Sequence, residues 1–376
     1  MASLNIPVDI LPLDGRFGAG PSKVRAEQID HLVENQDILG TSHRQAPVKD
    51  LVGRVRTGLA EFFGLPEGYE VAIGNGGSTA FWDVLAASLI ERRSAHLSFG
   101  EFGAKCVTSA TTPWLEAPHV VKTEPGTVGS FEPVAGVDVY AWPHNETSTG
   151  ASAPVTRVEG ADEGALMVVD ATSAAGGIQM DPHEFDVYYF APQKNFASDG
   201  GLWFALLSPA AIARVEKIAA SDRHIPPFFS LQSALENSRL NQTLNTPAIA
   251  TLLLMEAQVE LMNELGGLTS CAKATTHNSN LLYSWAESHE LLSPFVAQPE
   301  HRSPVIVTLD VDPRVDATAL TKILRENGVV DTEPYRKLGR NQIRIATFVG
   351  ISTADVERLI SSIDYVLAHL LAQASR

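Results

Sequence analysis

The sequence predicts an α/β protein in two lobes, a large one built on a mostly parallel, mixed sheet covered by helices and a smaller α+β one after it. Three observations carry this. From about residue 50 to 265, short apolar runs alternate with longer amphipathic stretches, the pattern of parallel strands joined by helices. Gly266-Gly267 then closes that region as a helix C-terminus would be closed. Beyond it, helix-length and strand-length segments alternate to residue 376, and 44% hydrophobic content over that length is enough for two cores.

In chain order, 1–16 carries Pro7, Pro12 and Gly15 and reads as an extended arm joining the small lobe; 17–266 is the large domain and 267–376 the small one. Strands are expected at 69–73, 96–99, 137–141, 165–169, 187–190 and 202–207, each a short run rich in apolar residues. The amphipathic stretches 48–63, 79–92 and 247–265 are expected to be helices. The small lobe should run helix 270–288, strand 305–311, helix 318–326, strand 343–348 and helix 353–374. No repeat or low-complexity tract interrupts this.

Composition excludes several roles. A formal net charge of −16 opposes nonspecific binding to nucleic acid, which depends on neutralising phosphates with lysine and arginine. The longest apolar runs, 252–255 and 202–207, are far short of the roughly 20 residues that span a bilayer, so no membrane partner is expected. The N-terminus has neither the basic flank nor the apolar core of a secretory signal. Cys106 and Cys271 are too few for a disulfide framework or a cysteine metal site, so a cytoplasmic protein without a metal is expected. In so acidic a chain, cations gathered in glycine- and proline-bearing loops point to small anions as guests.

The chemistry begins with two residues. Segment 186–196 delivers Lys194 off an apolar, aromatic strand, 24 residues after 165–170 delivers Asp170 off another. An amine that is to form a Schiff base must be held in place and lose its proton, which apolar walls at a strand end can arrange. A carboxylate facing a protonated ring nitrogen is the second requirement of pyridoxal phosphate. Separately, each residue also reads as a strand-end cap or a solvated loop lysine. Strand 69–73 runs into Gly74-Asn75-Gly76-Gly77-Ser78-Thr79 and then a helix, so that backbone amides, hydroxyls and the positive helix end converge as a phosphate cradle. It is neither a P-loop nor the dinucleotide fingerprint, since no Gly-Lys-Ser/Thr follows and Thr79 stands where a third glycine belongs. Asn245-Thr246-Pro247 reads as a second helix start, with Thr246 as N-cap and Pro247 at the first position. Arg344 interrupts the apolar strand of Ile343 and Ile345 and needs an anion there, either a substrate carboxylate or a structural one. His43-Arg44 and Tyr335-Arg336 supply cations in loops.

Together, Gly20-Pro21-Ser22, Ser42-His43-Arg44, Gly76-Gly77-Ser78-Thr79, Asn145-Glu146-Thr147-Ser148-Thr149-Gly150, Val169-Asp170-Ala171-Thr172-Ser173, Ala191-Pro192-Gln193-Lys194-Asn195 and Leu244-Asn245-Thr246-Pro247 resemble the phosphoserine aminotransferase family, over nearly the whole chain and in the right order. The resemblance implies a fold-type I pyridoxal-phosphate-dependent transferase of the class V group. It gives Lys194 the catalytic role and Asp170 the ring nitrogen. Gly77, Ser78, Thr79 and Gln193 would lie at the cofactor phosphate region, Thr147 at the ring side chain, and Asn245 with Thr246 across a homodimer interface, giving shared active sites. Phe102 would stack on the ring, where many relatives carry tryptophan. Arg344 would take the substrate α-carboxylate, and His43, Arg44 and Arg336 the distal phosphate. Tyr335 departs from the family, which commonly has histidine there, and the stretch from Arg336 to Arg344 looks longer than usual.

The implied activity is transamination between L-glutamate and 3-phosphohydroxypyruvate, giving O-phospho-L-serine and 2-oxoglutarate in serine biosynthesis, with a second step in pyridoxine biosynthesis as a family-level extension. An alanine–glyoxylate or serine–pyruvate type aminotransferase of the same fold is the nearest alternative. From another class, a phosphate-binding protein without catalysis would leave Lys194 structural.

Overall fold

The computed structural model describes residues 4–374; residues 1–3 of the arm and 375–376 of the small lobe lie outside the described residues. The elements are α1 (Ala26–Glu34), α2 (Ala46–Phe63), β1 (Glu70–Asn75), α3 (Ser78–Ser88), β2 (Ser94–Ser98), α4 (Glu101–Ala110), β3 (His119–Lys122), β4 (Val139–Pro143), β5 (Asn145–Glu146), β6 (Ala151–Ser152), β7 (Leu166–Asp170), β8 (Val187–Phe190), β9 (Leu202–Leu207), α5 (Pro209–Ala219), α6 (Leu231–Arg239), α7 (Ile249–Glu264), α8 (Gly267–Ser288), β10 (Leu292–Pro294), β11 (Ile306–Val311), α9 (Ala317–Glu326), β12 (Gln342–Ala346) and α10 (Thr353–Ala374). No helix among the described residues is long and apolar enough to cross a membrane.

Seven strands form the large sheet in the order β1-β9-β8-β7-β4-β2-β3. Neighbours among β8, β7, β4, β2 and β3 are parallel, while β9 runs against both β1 and β8. β1, β4, β7 and β8 therefore all end at one edge, where a crevice for ligands forms in open α/β sheets. Two-residue alternation splits the core across the sheet: Val71, Ile73, Tyr188 and Phe190 face one apolar cluster, Ala72, Val187 and Tyr189 the other. The fully buried strands explain why these segments read as continuous apolar runs rather than alternating ones.

A third cluster fills the C-terminal lobe around the antiparallel sheet β10-β11-β12, and it includes Ile6, Phe17 and Ala19 from the start of the chain. Backbone bonds hold that start in place: Phe17 N–H donates to Val330 O and Ala346 N–H to Phe17 O. At Ser22 the chain has reached the other lobe, donating its N–H to Gln193 O at 2.8 Å and its hydroxyl to Lys194 O at 2.7 Å.

Two sequence expectations fail for identifiable reasons. The helix expected over 79–92 ends at Ser88, because the Asp138 carboxylate collects the N–H groups of Glu91, Arg92 and Arg93 at 2.8–2.9 Å and turns the chain there. Thr246 does not cap a helix: α7 begins at Ile249 behind Ala248, and the Thr246 hydroxyl is taken up by His43 Nδ1 at 3.2 Å.

Two histidines are built into the interior uncharged. Burial holds His96, on β2, down at about 4, and His144, after β4, at about 3. Both sit below the ordinary 6.5, so the unfolded chain binds two protons that the fold refuses. Stability is expected to fall as pH drops from about 6.5 towards 4, by on the order of 3 kcal/mol per pH unit while both histidines take up protons only in the unfolded chain. Urea midpoints measured from pH 7 to 4 check this, and in His96→Asn the histidine share of the slope should halve; a midpoint that stays flat contradicts it.

Candidate active site

At the shared strand edge lies a cavity of about 200 Å³, lined by Gly76, Gly77, Ser78, Thr79, Trp82, Phe102, Pro143, Asn145, Thr147, Asp170, Thr172, Gln193, Lys194 and Gly201. Asp170 is the last residue of β7, and Lys194 follows the end of β8 by four residues. The Lys194 amine donates to Ala19 O at 2.7 Å. Gly20 is required beside it: at φ +124° the backbone is one side chains rarely adopt, and a Cβ there would lie 2.0 Å from Lys194 Nζ. Burial first, and the Arg344 guanidinium second, press the lysine down to about 8 from 10.5, with Asp170 pulling the other way. The amine is thus fixed, enclosed and easily neutral near physiological pH.

Asp170 is 7% exposed and held on both oxygens. Thr172 donates to Oδ1 through its N–H at 3.0 Å and its hydroxyl at 2.5 Å, and the Trp82 indole donates to Oδ2 at 3.0 Å. These donors are neutral, so they orient the carboxylate and leave its charge for a cation in the cavity. Sequence reasoning missed Trp82; it stands one helical turn after Thr79, so a single helix carries both the cradle and the residue that holds Asp170.

The cradle takes shape as β1 turns through Gly76 (φ +112°) and Gly77 (φ +83°) into α3, presenting first-turn N–H groups that have no partner within the helix. Gly77 is the N-cap residue, and the buried Ser78 hydroxyl lacks any partner among the described residues. Gln193 Oε1 and Asn145 Oδ1 are likewise buried and unpartnered. Thr147 donates its hydroxyl to Ser173 Oγ at 2.8 Å.

Phe102 forms one wall through an unexpected anchor. The Glu146 carboxylate, completely buried and pushed up by that burial, accepts the N–H groups of Phe102 and Gly103 and the hydroxyl of Ser148, and so caps α4. A Cβ on Gly100 would fall 2.3 Å from Glu146 Cγ, which makes glycine obligatory there.

The remaining expected residues do not line this cavity. Arg344, on β12, reaches its edge and donates through Nη1 to Thr147 O at 2.9 Å, while its buried Nε has no partner among the described residues. His43 bonds Thr246, and Arg44 donates to Gln242 at 2.5 Å, so these residues and exposed Asn245 form one group outside the cavity. The buried His43 Nε2 lacks a partner among the described residues. Arg336 is exposed on the turn Arg336–Leu338. Larger open grooves beside β10 and between α2 and α7 contain no lysine.

The family model for class-V aminotransferases matches residues 17–332. A phosphoserine aminotransferase from a Nocardioides species is 57% identical over 371 residues, covering 98% of this chain and 99% of that one. The chain belongs to the phosphoserine aminotransferase family. A second family member, from Corynebacterium glutamicum, is 54% identical over 364 residues and covered to 96% on both sides. The solved structure of a phosphoserine aminotransferase from Cytophaga hutchinsonii superposes with a TM-score of 0.85 at 24% identity, over 94% of this chain and 99% of that one, and shares the fold.

The cavity fits the pyridoxal phosphate that the family uses. Unpartnered Ser78 Oγ, Gln193 Oε1 and Asn145 Oδ1 point to a polar guest, the start of α3 behind Gly77 suits a phosphate, and Asp170 forms no ion pair among the described residues.

Proposed function

We propose that this chain is a cytoplasmic, homodimeric phosphoserine transaminase that moves the amino group of L-glutamate to 3-phosphohydroxypyruvate, giving O-phospho-L-serine and 2-oxoglutarate. The observation that carries the reading is the conjunction of a buried, easily neutralised Lys194 and a neutral-donor-held Asp170 in one cavity with a glycine-built helix start. The 57% identity to a phosphoserine aminotransferase supports the substrate pair.

When bound here, pyridoxal 5′-phosphate supplies an aldehyde for an amine and a cationic ring that acidifies the substrate Cα–H bond. Lys194 would hold the cofactor's aldehyde in the resting protein and, as a free amine, would be the base that takes up and returns the substrate's Cα proton. Asp170 would hold the proton on the ring nitrogen. Gly77, Ser78, Thr79 and Gln193 would bind the phosphate, Thr147 would lie at the ring side chain, and Phe102 would wall the ring and exclude water. Arg344 takes the α-carboxylate on its free Nε edge. His43, Arg44 and Arg336 take the distal phosphate or carboxylate. His43 and Arg44 are tied to the Asn245–Thr246 loop and lie off their own cavity, so this group is proposed to serve the site of the partner subunit. A division into arm 1–16, large domain 17–266 and small domain 267–376 is proposed on the separate core clusters, with Phe17 and Ala19 packing alongside the arm in the small lobe.

Titrating the purified holoprotein with O-phospho-L-serine is expected to convert its visible cofactor band to the pyridoxamine form. Conversion by L-alanine but not by O-phospho-L-serine would overturn the substrate assignment in favour of the alanine–glyoxylate type. Arg344→Ala is expected to lower catalytic efficiency tenfold to a hundredfold, a charge-assisted hydrogen bond contributing about 1.5–3 kcal/mol. Trp82→Phe removes one donor from Asp170 and is expected to weaken cofactor binding about tenfold by the same reckoning, measured by equilibrium titration of apoprotein; unchanged affinity would make the indole a packing group only.

A further inference from the structure

Arg344 has no carboxylate within ion-pair distance among the described residues. Glu146, the carboxylate whose charge acts on it, has its oxygens committed to the capping of α4. One neutral bond, Nη1 to Thr147 O, fixes the guanidinium at one corner. Its other close neighbour is Tyr335, over whose ring Arg344 Cζ lies 5.4 Å from the centroid. The same ring packs on Phe102 with centroids 6.0 Å apart and planes tilted by 58°. Two residues on, Lys337 forms an ion pair with Glu101, the neighbour of Phe102 at the start of α4. A half-buried loop residue of the small lobe thus stands between the aromatic wall of the cavity and the unpartnered arginine.

We propose that Tyr335 is a positioning residue for carboxylate recognition, holding the Arg344 guanidinium over its ring so that the donors not taken by Thr147 O stay free for the substrate. This rests on the reading of Arg344 given above. An ion pair would fix the arginine equally well but would occupy the N–H edge that a carboxylate must take. An aromatic face attracts the cation through its quadrupole and consumes none of the five donors. Contact with Phe102 and the Lys337–Glu101 pair fixes the ring in turn, so the carboxylate site is aligned with the cavity wall across the two lobes.

The test compares Tyr335→Leu with Tyr335→Phe in the holoenzyme, reading KM for L-glutamate and for 3-phosphohydroxypyruvate, kcat, and the cofactor dissociation constant. Tyr335→Leu should raise both KM values by a similar factor, on the order of tenfold, because the α-carboxylate is common to both substrates. kcat and cofactor affinity should change far less, and Tyr335→Phe, which keeps the face and loses only the hydroxyl, should recover most of the loss. Three results would overturn the proposal: a KM effect confined to the phosphorylated substrate in Tyr335→Phe, cofactor affinity falling in parallel with KM in Tyr335→Leu, or wild-type KM values in Tyr335→Leu. The half-reaction of the unmodified protein keeps the two readings apart. Should it convert only L-alanine, the phosphoserine reading fails while the spectral dissociation constant for L-alanine in the same variants still decides on Tyr335.

Discussion

Lys194→Ala is expected to lower turnover by at least about ten-thousandfold while leaving a folded protein that still takes up the cofactor. General acid–base groups contribute about a hundredfold to ten-thousandfold, and here one amine is both the covalent anchor and the proton carrier. Arginine should not substitute. The site holds the lysine down to about 8, so roughly a tenth of the amine is neutral at pH 7, whereas a guanidinium never gives up its proton. Because the lowered value favours the neutral form, the rate at which apoprotein captures the cofactor should rise with pH to about 8 and then level. Steady-state kinetics on Lys194→Ala and Lys194→Arg, with circular dichroism as the fold control, check the first expectation. Activity within a hundredfold of the unmodified enzyme in either variant would remove the lysine from the chemistry.

Asp170→Asn is expected to reduce kcat about a thousandfold. Opposite charges 3–4 Å apart attract by roughly 4 kcal/mol at an effective dielectric near 20, and the substitution deletes that attraction to the ring. It also disturbs the carboxylate's own holders. Thr172 donates to one oxygen and Trp82 to the other, and an asparagine can accept on only one side, leaving a donor facing its amide NH₂. The cradle at Gly77–Thr79 is untouched, so the cofactor should still bind, more weakly. Measured kcat within tenfold of the unmodified enzyme would mean that the ring does not depend on this charge.

Lys194, Asp170 and the glycine turn were legible in the sequence because each is a local event: a polar residue delivered from an apolar strand, or a backbone that only glycine permits at positive φ. What was not legible depends on groups far away in sequence. Nothing near Ser88 announces that Asp138 will end the helix, and nothing near Thr246 announces that His43 will claim its hydroxyl. Trp82 was hidden because α3 is buried nearly all round, so an indole there reads as core until Asp170 is seen beside it. Glu146 is the same kind of case, a helix cap supplied from 43–44 residues downstream of the amides that it receives. Long-range capping and second contacts to functional groups have no period or spacing to betray them, whereas strand order along the sheet follows from the alternation of elements.

The central claim is that one amine, at position 194, bonds covalently to the cofactor. The most direct measurement is borohydride reduction of the holoenzyme, tryptic digestion and mass spectrometry. The tag is expected on a peptide spanning residues 158–214, left uncut after residue 194 because its lysine is modified. A tag on any other lysine, or a digest in which that site is cleaved normally and carries no added mass, would contradict the account.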